Sequence, residues 1–255
     1  MLCYNQICAI AVWRNDLKRC YLKSSVWGTP VLNPNANIQF APFEDLVLGI
    51  GTDNLLRWRD PEIPIWKSVG TGMRLLDILQ LSDLSFVGVG LDNNLYWASS
   101  LHSQWYLVPG SGSVTRIAIM RSNFAWIFGV GMDCELYYVN ILQGFNAQGL
   151  RGGFKWYHVP NSGCIIDVLQ LPNGYVGGIG RDNKLYYMQN FYSLGWQLAP
   201  NFNGAITGLA ELSDSTLLGI GMDGSVWRMN SWDTGFPDGN GLTKSCCISA
   251  ITSAI

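Results

Sequence analysis

The sequence predicts an all-β protein, a six-bladed β-propeller of four-stranded blades whose ring is closed by pairing of the C-terminal strand with the N-terminal blade. Three observations predict it: a recurring five-residue word, its spacing, and chain ends that complement each other. The word is Gly49-Ile50-Gly51-Thr52-Asp53, and it returns as Gly88-Val89-Gly90-Leu91-Asp92, Gly129-Val130-Gly131-Met132-Asp133, Gly178-Ile179-Gly180-Arg181-Asp182 and Gly219-Ile220-Gly221-Met222-Asp223. Successive aspartates lie 39, 41, 49 and 41 residues apart, a period that belongs to propellers and solenoids rather than to single-copy enzyme domains.

One unit, residues 73–110, shows the grammar. Leu75-Leu76-Asp77-Ile78-Leu79-Gln80-Leu81 is mostly apolar and reads as a short strand covered on both faces. Phe86-Val87-Gly88-Val89-Gly90 is a second strand; its glycines share one face and leave room there for the neighbouring sheet, while Val89 faces the other side. Asp92-Asn93 tolerates left-handed backbone and marks a hairpin turn. Leu95-Tyr96-Trp97 is the third strand, and Gln104-Trp105-Tyr106-Leu107-Val108, stopped by Pro109, the fourth. Leu136-Tyr137-Tyr138, Leu185-Tyr186-Tyr187 and Val226-Trp227 repeat the third strand, with Leu56-Arg57-Trp58 a weaker copy; Trp66, Trp156 and Trp196 mark the fourth. Residues 141–153 form an extra polar stretch read as a surface loop.

The ends set the expected count. Ile7 to Val12, Cys20-Tyr21 and Ser25-Val26-Trp27 look like the second, third and fourth strands of a degenerate blade, while Ile248-Ser249-Ala250-Ile251 repeats the spacing of Ile206-Thr207-Gly208-Leu209 and supplies the missing first strand. Joining them removes exposed sheet edges. The expected organisation is therefore a single domain over 1–255, with blades at 1–33 plus 244–255, 36–70, 73–110, 113–161, 164–201 and 204–241. Five blades with irregular termini is the competing arrangement.

Composition removes several function classes. Sixteen Lys plus Arg stand against 18 Asp plus Glu, a net charge of −2 without a basic run, which disfavours nucleic acid and anionic membranes as partners. No apolar run approaches about 18 residues and the N-terminus lacks a leader pattern, so the expectation is a soluble chain, cytoplasmic or secreted without a visible signal peptide, and not membrane-inserted. The seven cysteines show no C-x-x-C spacing and read as small buried apolar residues, with a Cys8–Cys247 bridge across the ring closure as a hypothesis. His102 and His158 are too isolated for a metal site, and neither metal nor cofactor is expected. Glu44-Asp45 and Asp60-x-Glu62 occur once each in turn-like settings, and no nucleophile elbow or phosphate loop is present. No catalytic residue is assigned.

The word F/W/Y-x-G-I/V-G-x-D-N-x-L-Y-Y with a later W-x-x-V-P resembles the tectonin repeat of tectonins, fish-egg lectins and propeller tachylectins, over nearly the whole chain. The resemblance implies a non-catalytic, multivalent lectin with sugar sites between adjacent blades and glycans as partners, N-acetylated amino sugars or O-methylated sugars being the ligand types. Its chemistry is available in Asp53, Asn54, Asp92, Asn93, Asp133, Asp182 and Asn183 at turns, Tyr96, Tyr137 and Tyr186 on third strands, and Trp66, Trp105, Trp156 and Trp196 near strand ends. Each also has a purely architectural reading, the Asp-Asn pairs as turn formers and the tryptophans as packing between blades. Asn is Cys134 in the fourth unit and Gly224 in the sixth, so an amide that touches ligand predicts weak binding there, whereas a turn accepts Gly224. Two other classes stay open: an interaction scaffold with one large apolar face, and a glycoside hydrolase built on Asp77, Arg116 and Asp167 of the first strands.

Overall fold

The computed structural model describes residues 3–4, 7–8, 10–14, 19–23, 46–59, 65–141, 145–146, 149–150, 154–171, 173–189, 195–199, 204–212, 216–229 and 248–254. The chain divides into two compact units, Met1–Glu44 and Asp45–Ile255. In the first, Cys3–Tyr4 pairs with Ile7–Cys8 and Ile10–Arg14 pairs with Arg19–Lys23, both antiparallel. The expected third strand around Cys20-Tyr21 is therefore present, and Ser25 to Trp27 lie outside the described residues.

The second unit is a propeller of five blades, not six. Its blades are antiparallel sheets running from inner to outer strand. The first is Ile248–Ala254, Leu46–Gly51, Leu56–Arg59 and Lys67–Ser68; the second is Leu75–Gln80, Phe86–Gly90, Leu95–Ala98 and Tyr106–Leu107. The third is Val114–Ile119, Trp126–Gly131, Leu136–Asn140 and Tyr157–His158; the fourth is Ile165–Gln170, Val176–Gly180, Leu185–Met188 and Gln197–Leu198. Of the fifth, Ile206–Glu211, Leu217–Gly221 and Val226–Met229 are described. The C-terminal strand is an inner strand, as its spacing implies, but it pairs with Leu46–Gly51, in the register Ile248 to Gly51 through Ala254 to Leu46. It thereby supplies the inner strand of the segment 36–70, and the expected blade of 1–33 plus 244–255 is not among the sheets of the described residues.

Burial explains why the ring closes at five. Alternate residues of each strand face opposite neighbours, and the buried apolar side chains fall into five clusters, one for each interface between consecutive blades. Val87, Val89, Val114, Ile117 and Ile127 fill the wedge between blades two and three, and Phe128, Val130, Ile165, Val168 and Val176 that between three and four. Ile179, Leu185, Ile206 and Leu217 join four to five. Val47, Ile248 and Ile251 meet Leu218 and Ile220 of the fifth blade, while Leu48, Ile50 and Ala250 meet Leu75, Ile78 and Phe86 of the second. Each Val, Leu or Ile so buried contributes roughly 1.5–3 kcal/mol, so a strand covered on both faces is worth far more inside the ring than at an open edge.

Inner strands carry a bulge at the same place in every blade, between Leu75 and Asp77, Val114 and Arg116, Ile165 and Asp167, Ile206 and Gly208, and Ile248 and Ala250. The extra stretch of the third blade contains a small antiparallel pair, Phe145–Asn146 with Gly149–Leu150. Among the described residues no helix is long and apolar enough to cross a membrane.

Candidate functional site

The repeated word builds a repeated site, and the two glycines are what permit it. A Cβ on the first glycine would strike the tryptophan of the same blade's fourth segment, at 2.8 Å from Trp66 for Gly49, 2.6 Å from Trp156 for Gly129 and 2.7 Å from Trp196 for Gly178; at Gly88 it meets Leu75 at 2.8 Å and Trp105 at 3.1 Å. On the second glycine it would strike the side chain four residues past the aspartate, 2.6 Å from Tyr96 for Gly90 and 2.8 Å from Tyr137 and Tyr186 for Gly131 and Gly180. The room expected for a neighbouring sheet is instead filled by the blade's own indole and phenol rings. Val89 does face the other side.

The aspartate closes the turn. Its Oδ1 accepts the backbone N–H two residues on, from Leu55, Asn94, Glu135, Lys184 and Ser225 at 3.0–3.2 Å. In blades two, three and four Oδ2 accepts the tyrosine hydroxyl: Tyr96 to Asp92 at 3.0 Å, Tyr137 to Asp133 at 2.7 Å and Tyr186 to Asp182 at 2.8 Å. These bonds hold Asp133 and Asp182 below the usual carboxylate range and raise the phenols, Tyr137 to about 12. Asp53 instead binds Arg57 at 2.6 and 2.7 Å, which lowers its pKa further, and Asp223 takes the Ser225 hydroxyl.

The residue after each aspartate has left-handed backbone, with φ of 62° at Asn54, 60° at Asn93, 64° at Cys134, 61° at Asn183 and 75° at Gly224. Its carbonyl accepts the N–H of the first inner-strand residue of the next blade, Leu75, Val114, Ile165, Ile206 and Ile248, at 2.9–3.2 Å. Backbone geometry thus accounts for Asn, Cys and Gly at this position. The Asn183 amide points to the Met222 sulfur of the fifth blade, 3.9 Å away.

The four tryptophans are half-buried in the wedge toward the preceding blade. Trp156 Nε1 donates to the Ser111 carbonyl at 3.2 Å, and Trp196 Nε1 to that of Ser162. Trp66 Nε1 and Trp105 Nε1 are buried without a hydrogen-bond partner among the described residues.

In the fourth blade these parts border an open cleft of about 300 Å³, lined by Cys164, Ile165, Gly180, Arg181, Asp182, Tyr186 and Trp196. Three candidates from the sequence, Asp182, Tyr186 and Trp196, come together there. Arg181, Cys164 and Ile165 were not anticipated; the available signal was that the residue before the aspartate is Thr52, Leu91, Met132 or Met222 elsewhere and charged only here. One wall is fastened by a disulfide between Cys134 and Cys164, 30 residues apart, which corrects the expectation that these cysteines are merely buried apolar groups. The Cys8–Cys247 hypothesis lies outside the described side chains.

The remaining candidates are placed elsewhere. His158 is exposed, pairs with Glu135 and lies 5.3 Å from the Tyr137 ring between centroids. Asp77 and Asp167 are buried on inner strands, where each bridges to the following blade: Asp77 accepts Ile78 and Ile117 N–H at 2.9 and 2.8 Å, and Asp167 accepts Val168 and Leu209 N–H at 2.9 and 2.7 Å. Desolvation raises both carboxyls, against the opposing charge of Arg116. Arg116 donates to the carbonyls of Leu76 at 3.1 Å and Ser249 at 3.2 Å, tying the third blade to the second and the first. Among the described residues no group of three or more His, Cys, Asp or Glu is arranged to hold a metal.

No protein-family model and no curated protein matches the chain. Among solved structures it is similar to YCF48 from Cyanidioschyzon merolae, at 13% identity and a TM-score of 0.45 over 71% of this chain and 60% of that one. A structure of YCF48 bound to D1 peptide matches at 16% identity and a TM-score of 0.43 over 69% and 57%. The chain thus spans less than two thirds of the length of these structures.

Proposed function

We propose that this protein is a non-catalytic, multivalent carbohydrate-binding propeller whose sugar sites lie at the outer wedges between blades. The observation that carries the reading is the cleft of the fourth blade, where an indole, a phenol and a carboxylate border one concavity. A pyranose needs that combination: an aromatic surface for its apolar face and fixed polar groups for its hydroxyls. The same Asp–Tyr pair beside a tryptophan recurs at Asp92, Tyr96 and Trp105, and at Asp133, Tyr137 and Trp156, which supports more than one site per chain. Amino or O-methylated sugars on cell-surface glycans are the ligands that the tectonin-like word suggests. Single sites of this depth bind at roughly millimolar strength, and simultaneous engagement raises avidity by about 10² to 10⁴. Agglutination of glycan-bearing particles is the expected outcome. The non-catalytic reading is supported by the buried acids of the inner strands, since both oxygens of Asp77 and of Asp167 are engaged by backbone N–H groups.

A labelled full chain on a glycan array tests this, beside a variant with Tyr96, Tyr137 and Tyr186 changed to Phe and its fold checked by circular dichroism. Selective binding that weakens in the folded variant is the expected result. A blank array from folded wild-type protein refutes the reading and favours a second one, an interaction scaffold. That alternative has its own observation: Leu91, Met132 and Met222 stand exposed at the tips of equivalent turns, at 48%, 62% and 69%.

A further inference from the structure

We infer that the cleft of the fourth blade is selective for an anionic sugar, one bearing a carboxylate or a sulfate ester, and that Arg181 is the residue that selects it. This rests on the sugar-binding reading and deepens it. Charge at the five turns carries the argument. Positions 181–184 hold two cations, Arg181 and Lys184, and one carboxylate, Asp182; the equivalent positions 52–55, 91–94, 132–135 and 222–225 hold one, one, two and one carboxylates and no cation. The fourth turn alone is net positive, and it is the turn that borders the 300 Å³ cleft.

Arg181 lines that cleft and makes no hydrogen bond or ion pair among the described residues, whereas Arg57, which stands in the first blade where Tyr186 stands here, is held by Asp53. A guanidinium presents a planar fork that matches two oxygens of a carboxylate or sulfate. Asp182 makes no ion pair with Arg181 among the described residues; its oxygens accept the Tyr186 hydroxyl and the Lys184 N–H. Trp196 supplies the surface for the ring, and the wall at Cys164 is fixed by its disulfide to Cys134 and by the Ile165 N–H donated to the Cys134 carbonyl at 2.9 Å. A site fixed before binding spends less free energy on ordering itself.

The test is an NMR titration of the full chain with four probes: methyl α-N-acetylneuraminide, methyl β-glucuronide, 6-O-sulfo-N-acetylglucosamine and neutral N-acetylglucosamine. At least one anionic probe is expected to bind roughly tenfold more tightly than the neutral sugar, which separates carboxylate from sulfate as the preferred group. Arg181→Gln is expected to bring the ratio near one, and salt on the order of 1 M to shrink it. Thr52→Gln, which puts the same amide at the equivalent position of the first turn, keeps the ratio. Equal affinity for neutral and anionic probes, or a preference that survives Arg181→Gln, overturns the inference and leaves the lectin reading standing. Binding of none of the probes or of any glycan on the array overturns both.

Discussion

Two adjacent glycines in one strand are expected to respond oppositely to the same added methyl group. Gly177 and Gly178 both lie in the fully buried strand Val176–Gly180, and neither has positive φ, so alanine fits the backbone at both. At Gly178 the new Cβ lies 2.7, 2.9 and 3.2 Å from three carbons of the Trp196 ring, well inside van der Waals contact. At Gly177 the nearest atoms are the Leu169 carbonyl oxygen at 3.7 Å and side-chain carbons of Leu171 and Leu185 at 4.0 Å, which is ordinary packing. Trp196 cannot retreat freely, since its Nε1 is bonded to the Ser162 carbonyl and its ring is packed on the cluster between blades three and four. Overpacking of this kind costs about 1–3 kcal/mol, whereas alanine in a compatible site gains roughly 0.4–1 kcal/mol by restricting the unfolded chain. Urea unfolding should therefore show Gly178→Ala destabilised and Gly177→Ala neutral or stabilised, a gap of about 2–3 kcal/mol between neighbours. The Trp196 indole N–H resonance should shift in the first variant only. Equal effects at the two positions would refute the claim that the first glycine of the word exists to seat the tryptophan.

Two further predictions concern the turn and the ring. Asn93→Gly should leave stability nearly unchanged, since Gly224 occupies the same left-handed position, while Asn93→Val should cost roughly 1–2 kcal/mol by thermal or urea unfolding, because a branched side chain resists positive φ. Burial pushes Asp77 up to about 7 and Asp167 up to about 6, so the folded state binds protons more tightly than the unfolded chain; the stability they contribute is full below the unfolded value near 4 and is lost as pH rises through 6 and 7. Unfolding free energy measured from pH 4 to pH 8 should accordingly fall with rising pH, and Asp77→Asn should flatten that fall; a wild-type profile that rises over this range contradicts the assignment.

The strands, their order within a blade and the hairpin turns were legible in the sequence because each rests on local chemistry: alternation, aromatic third strands and Asp-Asn at left-handed turns. The blade count was not. Ile248 to Ala254 carries the marks of an inner strand, but its partner is decided by which wedge it fills, and the apolar alternation of Leu46–Gly51 accepts it on both faces. Residues 10–14 and 19–23 do pair as their pattern implies, so the degenerate blade misled by being locally right. The site was half legible. Asp182, Tyr186 and Trp196 were named because they recur, whereas Arg181 escaped because it does not.

The disulfide shows how the repeat itself can be read one step further. In every blade the residue after the aspartate bonds through its carbonyl to the first inner-strand residue of the next blade, and in the third blade this brings the residue preceding that strand beside it. Cys134 holds the first position in the third blade and Cys164 directly precedes Ile165, which places two sulfurs at a junction whose sequence equivalents elsewhere are Asn54 and Arg74, Asn93 and Ser113, Asn183 and Ala205, and Gly224 and Cys247. Packing residues must stay alike from copy to copy, because a Cβ on the first glycine would strike the tryptophan in blades one to four and one on the second would strike the aspartate in all five. Differences accumulate where no neighbour constrains them, at the turn tips and the junctions between blades. Those are the positions that border the cleft, so in an array of this kind the departures from the repeat are a better guide to what is bound than the repeat.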